Sequence, residues 1–295
     1  MQREAYLPKS NHKSANGFSL VEMMVALLVS SVLMTAMAGF FSTAVAVRQN
    51  LGGETEASQG LRALLSLITQ ELRQAGACLP KTGQFVALDG INNSTTDSLT
   101  LRIGRVNATT LLCMQPKLTT AVTGGSTLQV DNASGLQAGD LLYILPAGAN
   151  GLFRKVNSVS GNTLTLTTAL PAGTYAVGTI IYPVDERTYT IDNSNPARPM
   201  LTVAINQNSP QPLVDGAELF DVHYLLSPCS PTCVGPNLSP PSGPNDPSWR
   251  LVREVEIKAT VDSHKKNRQG QAVKATTGTT GQAGEYISIK PRNLL

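Results

Sequence analysis

From Met23 to Val47 no side chain carries a charge, and apolar residues dominate the run. As a helix, these 25 residues would extend about 37 Å at about 1.5 Å each, enough to cross a hydrocarbon layer of about 30 Å. The pattern then changes. Ala57, Leu61, Leu64, Leu65, Ile68 and Leu72 recur at helical spacing, with Arg62, Gln70 and Arg73 mostly off that face. The same helix is therefore expected to continue as an amphipathic segment packed on a globular head. Gly52, Gly53 and Gly60 each cost up to about 1 kcal/mol relative to alanine and mark the place for a bend. Gly76 and Pro80 are stop signals. The predicted helix covers 18–76, with 18–47 as its apolar part.

Beyond Cys78 the period falls to two. Leu99, Leu101 and Ile103 alternate with Thr100, Arg102 and Gly104, as in a half-buried strand. Short strands are expected at Leu141–Leu145, Thr163–Thr168, Thr179–Tyr182, Thr188–Ile191 and Met200–Ile205. Phe220, Val222, Tyr224 and Leu226 share one face of another. Val255, Ile257, Ala259 and Val261 share a face opposite Glu254, Glu256 and Lys258. The expected class is α+β: one long N-terminal helix packed on a mainly antiparallel β head, 77–118 and 183–295. Within it, 119–182 reads as an inserted small β-domain, a barrel or sandwich of short strands separated by glycine-rich turns. The stretch 228–248 holds seven prolines and reads as an exposed loop.

Charge adds an orientation and removes a function class. Arg3, Lys9 and Lys13 precede the apolar run, so the positive-inside tendency keeps the N-terminus cytoplasmic and exports the remainder. Setting aside these three and Glu4 leaves 20 of the 23 basic and 19 of the 20 acidic residues. A body so near neutrality gives no bulk electrostatic argument for nucleic acid. Two plain readings of the N-terminus compete, a secretory signal peptide and a simple membrane anchor. The run is long for a signal peptide. Glu22, a carboxylate at its front edge, suits neither, because an ionisable group there is costly and usually has a partner.

If the head is exported, its four cysteines, Cys78, Cys113, Cys229 and Cys233, enter an oxidising compartment. Four cysteines allow three full pairings; Cys78–Cys113 with Cys229–Cys233 is the preferred one. No nucleophile elbow, P-loop, dinucleotide fingerprint or zincin motif is present. His12, His223 and His264 lie far apart, and His223 is expected on the polar face of its strand beside Asp221. Asp89, Asn92, Asn93 and Asp97 do not match a calcium loop and read as a polar turn. The cluster His264–Arg268 reads as a solvated loop. No enzyme activity, metal, cofactor or small-molecule substrate is expected.

Gly17-Phe18-Ser19-Leu20-Val21-Glu22 resembles the type IV prepilin processing site. The resemblance implies a cleaved leader at 1–17, a cut between Gly17 and Phe18 by a prepilin peptidase, and N-methylation of Phe18. Glu22 then falls fifth in the mature chain, where it would meet the α-amine of a neighbouring Phe18 and set the axial register. Scattered later segments, including Tyr189, Val214-Asp215-Gly216, Val222-His223-Tyr224 and Arg292-Asn293, resemble PilW-type minor pilins, relatives of the J pseudopilin of type II secretion. The implied protein is a minor pilin involved in filament assembly or priming at or near the tip. It would sit as a single span in the inner membrane with a periplasmic head before joining the filament. Its implied partners are major and minor pilin subunits, the peptidase and the inner-membrane assembly platform. The alternatives are a type II secretion pseudopilin and a tip adhesin or DNA-uptake module with an extracellular surface or DNA ligand.

Overall fold

The computed structural model describes residues 19–80, 85–91, 97–146, 151–226, 249, 251–266, 272–276 and 286–292. The chain divides into two compact units, Met1–Gln49 and Asn50–Leu295. One helix, α1, is assigned without interruption over Leu20–Gln74. Its glycines at 52, 53 and 60 do not break it. In the first unit it holds an apolar stretch, Leu20–Val45, with a mean hydropathy of 2.1, long and apolar enough to cross a membrane. Several of its hydroxyls bond within the helix: Ser31 donates to the Leu28 carbonyl at 2.8 Å, and Thr35 to Ser31 at 2.8 Å. That back-bonding is what a helix needs where no water is available.

The second unit is a mainly antiparallel β head. It comprises β1 Leu88–Ile91, β2 Ser98–Gly104, β3 Gly125–Gln129, β4 Leu141–Leu145, β5 Leu152–Ser160, β6 Thr163–Leu170, β7 Ile180–Asp192, β8 Met200–Ile205 and β9 Gln211–Asp215. It continues with β10 Ala217–Leu226, β11 Val252–Lys266, β12 Ala272–Thr276 and β13 Ile287–Ile289. The first nine form one sheet in the order β1-β2-β7-β4-β5-β6-β3, with β8 pairing both β7 and β9. The last four form a second sheet in which β11 pairs β10, β12 and β13. The alternation that predicted β11 is real: Val255, Ile257, Ala259 and Val261 are buried.

The long strand β7 is the spine. Ile180–Val184 pairs with β4, Val184–Thr190 with β2, and Arg187–Asp192 with β8. Through β4 it carries the strands of the 119–182 block, which has its own apolar cluster around Leu128, Leu142, Ile144, Leu164 and Ile181. The main core lies elsewhere. There, Leu61, Leu64, Ile68 and Leu72 of α1 pack with Leu99, Tyr189 and Leu201 of one sheet and Phe220, Tyr224 and Ile257 of the other. A third cluster gathers Leu79, Phe85, Tyr143 and Tyr182, with Phe153 against it.

β2 differs from expectation. Thr100 and Arg102 are buried along with Leu99 and Leu101, so both faces of the strand are covered. The reason is ionic: Arg102 Nε donates to Glu186 at 2.6 Å, its Nη1 to the Val86 carbonyl at 3.0 Å, and Asp89 lies 3.7 Å from Nη2. A guanidinium satisfied on three sides can sit where a period-two pattern would place solvent.

Candidate processing and assembly site

Gly17 and Phe18 lie outside the described residues, as do Cys229, Cys233, the whole 228–248 stretch, Asn92, Asn93 and His12. The site therefore begins at Ser19. Ser19 is the residue before the first helical one, and its backbone N–H donates to Glu22 Oε2 at 3.0 Å. The Ser19 carbonyl in turn accepts the Met23 N–H at 3.2 Å. Ser-x-x-Glu with this return bond has the spacing of a capping box, in which the third helical residue satisfies the N–H of the cap. The glutamate also places negative charge in the first turn, where the helix dipole favours it. So the carboxylate starts the helix locally, and it remains exposed beside a run of apolar side chains that are exposed as well.

Cys78 and Cys113 form a disulfide across 35 positions, with Cα atoms 5.2 Å apart. Cys78 adopts φ +59° just beyond α1. Gly104 lies so close to it that a Cβ there would fall 2.6 Å from the Cys78 carbonyl oxygen. The disulfide thus ties the end of the helix to the segment that follows β2.

The residues weighed for metal or proton chemistry have structural duties. Asp89 accepts the Gly90 N–H at 2.7 Å and faces Arg102, and burial raises its pKa. Asp97 accepts the Val222 N–H at 2.7 Å. Among the described residues no group of histidine, cysteine and carboxylate side chains could hold a metal ion. His223 is less open than its strand position suggested, with 14% of its side chain exposed. Tyr286 stacks on it at 4.4 Å, and the Tyr286 hydroxyl donates to Asp221 at 2.5 Å. Burial, then the neighbouring Asp221, pushes that phenol upward.

Two polar groups escaped the sequence reading. Glu71 sits on the apolar face of α1, buried, where it accepts hydrogen bonds from Arg187 and from the Tyr189 hydroxyl, both on β7. A charged residue wedged between Ile68 and Leu72 was its visible signal. Arg105 reaches both Asp140, at 2.7 and 3.0 Å, and Asp185, at 2.8 Å, and this raises its pKa further. It joins the end of β2 to the 119–182 block, and nothing local in the sequence announces that.

The profile of the prokaryotic N-terminal methylation motif matches residues 12–38, which span the processing segment and the front of α1. No curated protein sequence matches the chain. Among solved structures, the Gp54 tailspike of Acinetobacter baumannii bacteriophage AP22, in complex with A. baumannii capsular saccharide, is 26% identical over 24% of this chain and 15% of its own length, with a TM-score of 0.19. Overlap that slight carries no argument about fold or function.

The methylation motif, the apolar helix behind it and the antiparallel β region together support a type IV pilin-like protein.

Proposed function

We propose that the chain is a PilW-like minor pilin of a type IV pilus. In this reading the 1–17 leader is removed between Gly17 and Phe18, Phe18 is N-methylated, and the processed chain joins a filament with its head at or near the tip. The N-terminus starts on the cytoplasmic side of the inner membrane and the head in the periplasm. The role is structural: priming or extending assembly with other pilin subunits, after processing by a prepilin peptidase and handling by the assembly platform. The 119–182 block is an inserted module on that head.

The observation that carries this reading is Glu22 within the matched motif, held by the Ser19 N–H at 3.0 Å at the front of an exposed apolar helix. On assembly the carboxylate exchanges or shares that cap with the cationic α-amine of a neighbouring Phe18. In an apolar surround this pairing offsets the cost of burying both charges, and any other axial offset leaves one of them unpaired. The reading expects Glu22→Ala to be cleaved and methylated normally yet to fall at least tenfold in sheared filaments, while Glu22→Asp retains part of the signal. Mass spectrometry of purified filaments for the methyl-Phe18 peptide decides it. Wild-type chain absent from filaments, or Glu22→Ala present at the wild-type level, would overturn it. Recovery of the wild-type chain only with a secretion apparatus would favour the pseudopilin instead.

A further inference from the structure

Between Val106 and Cys113, which bridge each other, the chain makes a tight exposed turn. The Asn107 N–H donates to the Leu112 carbonyl at 2.8 Å, and the Leu111 N–H to the Asn107 carbonyl at 2.9 Å. Asn107 Oδ1 accepts the Thr109 N–H at 2.9 Å and the Thr110 N–H at 3.1 Å. Ala108, Thr109 and Thr110 are exposed. Leu111 and Leu112 are 78% and 68% exposed, and Leu111 holds φ +56°, a conformation costly for a bulky side chain. The sequence of the turn, Asn107-Ala108-Thr109, has the Asn-x-Thr spacing of an N-glycan acceptor. Its Oδ1 is engaged by two N–H groups, whereas Nδ2 donates none of the described hydrogen bonds.

We propose that Asn107 is a glycosylation site, taking an oligosaccharide carried on a polyprenyl diphosphate through a membrane-bound oligosaccharide transferase. In that step Asn107 Nδ2 attacks the anomeric carbon of the donor sugar. A C–N bond forms, the C–O bond to the diphosphate breaks, polyprenyl diphosphate leaves, and one Nδ2 proton passes to a base of the transferase. The inference rests on the export of the head in the minor-pilin reading, where the turn would face the compartment of such transferases. The glycan also answers the exposed leucines: one face of a pyranose ring is lined by C–H groups and can cover Leu111 and Leu112, leaving its hydroxyls to water. Asn132-Ala133-Ser134 has the same spacing and the same local bond, from the Ser134 N–H to Asn132 Oδ1 at 2.9 Å. There, however, Ala133 is buried in the apolar cluster of the 119–182 block, and its N–H donates to Asn162 at 3.4 Å. An acceptor must leave its own surface to enter a transferase cleft. The Asn107 turn can do so by opening exposed backbone, while the Asn132 turn would have to draw an alanine out of a core. Asn107 is therefore modified and Asn132 is not.

The test takes the full chain from membranes and from sheared filaments of its native host. After reduction and trypsin, Asn107 falls in the peptide 106–117 and Asn132 in 118–154. Fragmentation mass spectrometry assigns any added sugar to its residue. The expected result is a hexose- or hexosamine-containing mass on Asn107, with 118–154 unmodified. In Asn107→Gln and in Thr109→Ala the modified peptide should fall at least tenfold, and in Thr109→Ser no more than threefold. An unmodified 106–117 peptide in the wild-type chain, sugar on Thr109 or Thr110 instead, equal modification of 118–154, or full modification in Thr109→Ala would overturn the proposal. If a variant fails to accumulate, the wild-type peptides alone decide. Glycosylated chain in membranes but absent from filaments refutes the minor-pilin reading and leaves this site standing. Unmodified chain in filaments refutes only the site.

Discussion

Glu22 and Glu71 lie on the same helix and have opposite surroundings. Glu22 is exposed and bound to one N–H, so it can change partner; Glu71 is buried between Arg187 and Tyr189 and cannot. The turn of Val214-Asp215-Gly216 is a second case of a residue fixed by its neighbours. Gly216 has φ +73°, and a Cβ on it would fall 2.3 Å from the Asp262 carbonyl oxygen. Gly216→Ala should therefore destabilise the head by about 3 kcal/mol, combining left-handed strain with a backbone clash; a urea unfolding midpoint of the detergent-solubilised chain measures it. Asp262 itself is pushed up to about 6, first by burial and then by the adjacent Glu218 carboxyl, while Lys274 reaches both. A raised carboxylate binds its proton more tightly in the folded chain. Its stabilising contribution is present at low pH and is lost as pH rises from about 4 through about 6. Glu218, lowered mainly by its hydrogen bond with Lys274, acts in the opposite sense. Asp262→Asn removes the first effect, while Lys274, the main cause of the second, stays in place, so the melting-temperature advantage of wild type over this variant should shrink as pH rises from 4 to 7. A constant or growing advantage would contradict that assignment.

The helix and the clearest strands were legible at the scale of elements because each has one covered face. Leu61, Leu64, Ile68 and Leu72 kept their spacing and are all buried, as are alternate residues of β11. The joins were less visible. Thr179–Tyr182 and Thr188–Ile191 read as two strands, but Ile180–Tyr182 and Thr188–Ile191 belong to the single strand β7. Pro183 lies between them. In the sheet it loses only its donor; its carbonyl still accepts the Arg105 N–H at 3.0 Å. β5 was missed because both of its faces are partly covered and its burial shows no clean alternation. Glu71 was missed because its partners are 116 and 118 positions away, a distance that no periodicity spans. That contact fixes α1 on β7. Burial, opposed by the nearby Arg187, pushes the Tyr189 hydroxyl up to about 12, so it stays a donor at any working pH. Glu71→Ala leaves a buried hydroxyl without its acceptor and should cost about 2 kcal/mol, since Arg187, with 37% of its side chain exposed, can turn to water. Glu71→Gln keeps an acceptor and should cost less; chemical denaturation of both variants checks the order.

At the scale of the whole second unit, the question is how far the 119–182 block unfolds on its own. Its apolar cluster is separate from the one that α1 completes. It meets the rest through β7, through the Phe85, Tyr143 and Phe153 rings, and through Arg105 held between Asp140 and Asp185. The disulfide Cys78–Cys113 closes its loop just before the block begins. By loop entropy that bond is worth up to about 4 kcal/mol to the folded state, and it constrains the helix end rather than the block. The two links therefore make different demands. Cys78→Ser/Cys113→Ser should lower global stability by about 2–4 kcal/mol and speed hydrogen exchange throughout the core that α1 shares with β10 and β11. Arg105→Gln leaves two carboxylates facing each other without their cation. It should speed exchange selectively in Leu141–Leu145 and Leu152–Ser160, while leaving Val255–Val261 at the wild-type rate. Uniform loss of protection in Arg105→Gln would mean that the block and the main core open together, and that 119–182 is one cooperative piece with the head rather than a module set on it.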